Sequence, residues 1–216
     1  MNTGDNRPCT FVEALGGVVV HPFFTMKVLS VHPSGVKWGL YSVTLLGLLY
    51  TLTVAGLYGI GVGATVSPWL RIPAEEYYFW EIFMVFPVYF GVWVLGAGFV
   101  QLVSRPLGGS GSFEGTLATL GFAMTIPWYV TWVVETLGMI LVMMDVITLA
   151  QWQDVAENHT VGKVFAIAYQ LIAMVWLIVL MPIAVRSSQG LTAIPSFVVG
   201  MVTLIIVGII SFVFIR

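Results

Sequence analysis

From Ile82 to Val100 the chain carries no charged residue. A run of about 20 apolar residues is what an α-helix needs to cross a hydrocarbon core about 30 Å thick. Comparable runs recur along the whole sequence, so that 59% of it is hydrophobic and only 8% charged. A soluble domain carries about 25% charged residues to clothe its surface, and this chain cannot do so. The pattern predicts an all-α fold, a polytopic transmembrane helical bundle with five spans at about 36–63, 79–103, 126–149, 161–185 and 193–215. The lipid bilayer is its first partner, and little chain is left for a soluble catalytic domain.

The punctuation between the runs sets the organisation. Residues 1–9 are polar and read as a frayed tail. Thr10 to Val31 is too apolar for a solvated arm and too interrupted, by Glu13, Gly16, Gly17, His21, Pro22 and Lys27, to span. It reads as one or two short helices lying in the membrane interface, Pro22 in the first turn of the second, or as a segment packed on the bundle. Residues 1–35 thus form an N-terminal tail with interfacial helices and 36–216 the membrane domain. The first long apolar run begins after Lys37, too late for a cleaved signal, so the first span is expected to stay as an anchor. Ser34 can cap it, and Trp38 and Tyr41 suit the headgroup level. Its far half carries Gly56, Gly59 and Gly63 on nearly one face, a groove for close helix packing.

Pro68, Arg71, Pro73, Glu75 and Glu76 mark a loop before the second span, which Pro87 is expected to kink. Glu114 to Ala150 is too long for one upright span, at about 55 Å of helix. A bend at Pro127 would divide it into a short interfacial or partly buried helix, Phe113–Met124, and a span from Ile126 to Leu149. Gln151–Thr160 reads as a polar loop, with Thr160 capping the next span. With the N-terminus cytoplasmic and the C-terminus outside, Arg7, Lys27, Lys37, Arg105 and Arg186 fall inside, and Arg71, Lys163 and Arg216 fall outside. That modest bias follows the positive-inside rule.

Few residues suggest chemistry. Glu135 falls near the middle of the third span, where a carboxylate costs roughly 2.5–3.5 kcal/mol unless protonated or paired. Two readings stand: a proton or ligand site facing the bundle interior, or a structural carboxyl bonded to Thr131 or Gln170. Glu81 and Asp145 lie nearer the span ends and are expected to face water. Glu135 and Asp145, about 15 Å apart along a helix, cannot act as a pair on one substrate atom. His21, His32 and His159 lack metal-ligand spacing, and Cys9 has no second thiol, so neither a metal nor another cofactor is expected. Gly108-Gly-Ser-Gly111 lacks the Lys-Ser/Thr of a phosphate loop and reads as a hinge. The scattered basic residues offer no stripe for nucleic acid.

The order of landmarks is more informative. Pro22-Phe23-Phe24 precedes the first span, GGSGSFEGTLATLGFAMTIP runs from Gly108 to Pro127, and QGLTAIPSFVV from Gln189 opens the fifth span. This order resembles the Yip1-domain family over roughly residues 15–215. The middle motif is the most specific, through Gly108, Gly109, Gly111, Phe113, Thr116, Leu120, Gly121, Phe122 and Pro127. Phe122 stands where the family commonly has Tyr, and the acidic Asp-Leu-Tyr-type motif of eukaryotic members is absent. The resemblance is therefore to the prokaryotic type. It implies five spans, a cytoplasmic N-terminus, a place in the cytoplasmic membrane and no enzymatic activity. The function expected is that of a membrane-organising or partner-binding component among other membrane proteins, such as an accessory subunit of a larger complex. The alternative is a small transporter or channel using Glu135.

Overall fold

A computed structural model describes residues 10–63 and 69–215. Arg7, Cys9, Pro68 and Arg216 lie outside that range. Among the described residues there is no strand. Eight helices follow one another among these residues: α1 (Phe11–Val20), α2 (Pro22–Leu29), α3 (Gly35–Gly59), α4 (Ala74–Ser104), α5 (Phe113–Met143), α6 (Leu149–Glu157), α7 (Thr160–Gln189) and α8 (Ala193–Phe214). A 3-10 turn, Arg105–Leu107, extends α4. The helices α3, α4, α5, α7 and α8 are long and apolar enough to cross a membrane.

The spans alternate in direction and so define two ends. At the loop end, Ser30 Oγ donates to the Ser187 carbonyl at 3.3 Å, and Ser110 N–H donates to the Gln189 carbonyl at 3.1 Å. This gathers α2, the 108–112 loop and the end of α7. At the far end, Tyr77 at the start of α4 donates to the Val213 carbonyl in α8 at 3.3 Å. Helix α5 packs against α3, α4 and α7, and α8 closes the bundle against α7 and α4.

Local chemistry explains the boundaries. The Ser112 hydroxyl accepts from Gly115 N–H at 2.9 Å and starts α5, while Gly190, at φ 70°, ends α7 in the left-handed conformation. Pro22 opens α2. A capping box of Thr10 and Glu13 opens α1, which with α2 packs on the bundle.

Several boundaries correct the sequence reading. Helix α5 runs unbroken through Pro127, so Phe113–Met124 is no separate helix. Proline removes one backbone hydrogen bond but leaves the helix intact when neighbours hold it. A helix longer than the core is accommodated by tilt or by projecting beyond it. Helix α3 ends at Gly59, followed by Gly61 at φ 77°, instead of reaching Gly63. The 151–160 stretch is not a loop, because Thr148 and Gln151 form a capping box that starts α6. His159, not Thr160, occupies the N-cap of α7. Ser34 holds the N-cap of α3 without a side-chain bond, and its N–H donates instead to His32 Nδ1 at 3.0 Å.

Candidate functional site

Packing is uneven along the bundle axis, and the family-like motifs lie where it is densest. Gly39 on α3 and Gly121 on α5 meet backbone to backbone: a Cβ on Gly121 would stand 2.7 Å from the Gly39 Cα. Beside them the Ser42 and Thr125 hydroxyls pair at 2.6 Å, Thr125 donates to the Gly121 carbonyl at 2.7 Å, and Tyr129 donates to the Ser42 carbonyl at 3.0 Å. Phe122 is fully buried, 6.0 Å from the Phe11 ring of α1. Trp93 Nε1 of α4 donates to the Leu117 carbonyl at 2.9 Å, and Phe113 packs against the same core.

The 108–111 loop is a docking element in this structure. Gly108 turns the chain at φ 88°. Gly109 lies against Ser104 and Gly111 against the Ser188 carbonyl, leaving no room for a side chain at either. Gln189, 1% exposed, donates through Nε2 to Gln101 Oε1 at 2.8 Å and to Thr116 Oγ1 at 2.6 Å, while Gln101 donates to the Gly111 carbonyl at 3.0 Å. Helices α4, α5 and α7 are thereby tied together by one buried polar network. In the remaining motif, Phe23 of α2 lies under the Arg186 guanidinium at 5.1 Å, and Phe24 is exposed. Pieces distant in sequence converge on the loop end.

The far end holds a second polar group. Tyr50 of α3 donates to Glu81 Oε1 of α4 at 3.3 Å, and its ring is 6.0 Å from that of Tyr89. Glu135 on α5 is within electrostatic reach of both tyrosines, as is Glu81. Glu81 is therefore not water-facing: it is 0% exposed. Helix α4 begins at Ala74, about five residues earlier than expected, because Glu75 and Glu76 occupy a first helical turn where acidic residues are favoured. That start places Glu81 two turns inside the helix. Glu135 moves in the opposite sense: eight residues from the end of α5, it lies about 12 Å from the far terminus of the helix and not at its middle.

Glu135 makes no hydrogen bond to Thr131 or Gln170 among the described residues. Gln170 is exposed on α7, and its amide donates only to the adjacent Tyr169 hydroxyl, at 3.5 Å. That tyrosine is itself within electrostatic reach of Glu135. Asp145 is exposed in the turn after α5, at φ 54°. The three glycines of α3's far half do not form one groove. Gly56 packs against Met139 of α5, Gly59 faces open space, and Gly63 lies beyond the helix near the Ala74 carbonyl. Outside the spans, the Asn158 amide and the His159 ring hold the exposed Asp154 carboxyl below the usual carboxylate range, at 2.7 and 3.1 Å.

Among the described residues no three His, Cys, Asp or Glu side chains come together in a way that could hold a metal ion. In comparison with known proteins, the family profile described as Yip1 domain matches residues 16–215. No curated protein and no solved structure matches the chain.

Proposed function

This chain belongs to the Yip1-domain family, and on that premise we propose that it is a non-enzymatic, partner-binding component of a larger assembly in a prokaryotic cytoplasmic membrane. The observation that carries this is the state of α7. None of its residues from Thr160 to Ile172 is buried, whereas Ala173, Leu177, Leu180, Met181, Ala184 and Val185 all are. Within the unpacked half stands Gln170, about 15 Å from the start of the helix. An amide exposed to hydrocarbon is unfavourable, and in membranes such side chains serve as interhelical hydrogen-bond donors and acceptors. A transmembrane helix from another protein, carrying a polar group at that depth, satisfies it.

The loop end is assigned to the cytoplasm in this reading. Lys27, Lys37, Arg105 and Arg186 are exposed there, while Glu75, Glu76, Asp145 and Asp154 belong to the far end. The test is purification in mild detergent from native membranes. A stoichiometric set of larger membrane proteins, lost when Gln170 is changed to Leu, is expected. A free-standing 23.6 kDa particle would overturn the subunit reading.

A second reading rests on Glu81 and Glu135. Two carboxyl groups from neighbouring helices share the Tyr50 and Tyr89 surroundings, as a proton or cation site does. Transport through that site predicts that Glu135→Gln abolishes flux in liposomes, and equal flux removes Glu135 from any such role.

A further inference from the structure

An open groove of about 590 Å³ separates α1 from α5 and α7. Leu15, Gly16 and Val19 line one side, and Pro127, Val130 and Trp176 are among the residues opposite. Its lining is almost wholly apolar. Water needs two to four polar partners to occupy such a space, and this wall does not supply them. The helices that form its far wall are membrane spans, so hydrocarbon chains are the available filler.

The chemistry beside the groove specifies which lipid. Four residues after Val19, Phe23 lies under the Arg186 guanidinium at 5.1 Å, and Lys27 stands one helical turn further along the same face of α2. Both cations are exposed and form no ion pair with a carboxylate among the described residues. Stacking on an aromatic face leaves the edge of a guanidinium free to fork onto phosphate oxygens. Arg186 and Trp176 are ten residues apart on α7, about 15 Å, and half of a hydrocarbon core about 30 Å thick is the same length. Trp176 is the α7 lining residue nearest Arg186, so a phosphate held at Arg186 brings the end of its acyl chain into the groove at Trp176.

We infer that the cleft between α1 and the α5–α7 pair binds one anionic phospholipid of the leaflet at the loop end, its chain in the groove and its headgroup phosphate on Arg186 and Lys27. This site adjoins the partner surface on α7, since Ile172 lines the groove and ends the unburied stretch, but it is tested on the isolated chain. Two substitutions divide the roles. A side chain at Gly16 meets nothing within 4 Å, so Gly16→Phe fills the groove without disturbing the fold. Val19, half exposed, offers Val19→Phe as a second filler. Arg186→Gln leaves the groove open and removes the charge.

The experiment reconstitutes the full chain into vesicles of equal phosphatidylglycerol and phosphatidylcholine, extracts it in mild detergent and counts retained lipid by native mass spectrometry. One retained lipid, predominantly phosphatidylglycerol, is expected for the native chain. Both groove fillers should lower retention about tenfold, and Arg186→Gln should keep a lipid while losing the anionic preference. Equal retention of the two lipids by the native chain, or retention unchanged by Gly16→Phe and Val19→Phe, overturns the proposal. So does the finding that a second copy of the chain occupies the groove, seen as a dimer that the fillers dissolve.

Discussion

The loop-end and far halves of this bundle are built from the same helices and the same apolar alphabet, yet they pack differently. At the loop end α3 and α5 touch through glycine backbone, and α4, α5 and α7 share the Gln101–Thr116–Gln189 network. At the far end Gly59 faces open space and no residue of α7 from Thr160 to Ile172 is buried. In lipid there is no hydrophobic gain from pressing two apolar helices together, so close fit and hydrogen bonds decide where helices meet. The amides that bond between spans and the glycine crossing of α3 and α5 lie in one half, and that half is the tight one. The other half remains a set of helices with surface to offer.

The sharpest way to break this contrast is to place the same bulk in both halves. Gly121→Leu drives a side chain into the Gly39 backbone and should cost ~3 kcal/mol or abolish folding, read as loss of a monodisperse species in detergent. Gly59→Leu enters open space and should stay within ~0.5 kcal/mol. Equal effects would mean the halves are not differently packed.

Amides give the next comparison. Gln189→Leu leaves Gln101 and Thr116 without their donor and should lower stability by ~1–3 kcal/mol in a denaturant titration of the isolated chain. Gln170→Leu should leave the isolated chain unchanged and act only on what co-purifies with it.

A smaller effect concerns one hydroxyl. Ser42→Ala removes a buried bond to Thr125 and should cost ~0.6 kcal/mol, with a Ser42/Thr125 double-mutant cycle separating the pair from the lost volume.

The smallest prediction concerns Asp154. Hydrogen bonds to Asn158 and His159 hold its carboxyl below the ordinary range, so it favours the folded state above the usual aspartate range. That contribution is lost as acidification passes the lowered value. Carboxyl chemical shifts followed against pH should show the depressed titration, and Asn158→Ala should raise it.

The spans were legible because they depend on composition, whereas the caps were not: Ser34 makes no side-chain cap bond and His159 stands where Thr160 was expected. Length and apolarity announce α5, while the Thr148–Gln151 capping box that starts α6 lies just before a stretch whose polarity reads as a loop. What local pattern does not carry is contact between distant segments. Pro127 reads as a break, and only its burial among packed helices shows why α5 continues through it. Glu81 reads as a span-end residue until the acidic first turn of α4 is recognised as helix. Gly56, Gly59 and Gly63 share a spacing, but the neighbour opposite each one decides its role: Gly56 meets α5, Gly63 meets the start of α4, and Gly59 meets neither. The motif glycines at 108–111 suggest a hinge by composition. Their docking against Ser104 and Ser188 depends on residues that are far off in the chain or placed by it.

The Gln101–Thr116–Gln189 network also constrains the order in which the molecule can be made. Gln101 and Thr116 enter the membrane with the second and third spans, long before Gln189 has been synthesised. The glycine crossing of α3 and α5 can form at that stage, since both partners are already present. The polar patch cannot be completed until α7 arrives with its last turn. A nascent chain arrested before residue 189 therefore carries a half-built bundle whose amides still seek water or a chaperone, and α7 is the helix whose insertion releases it.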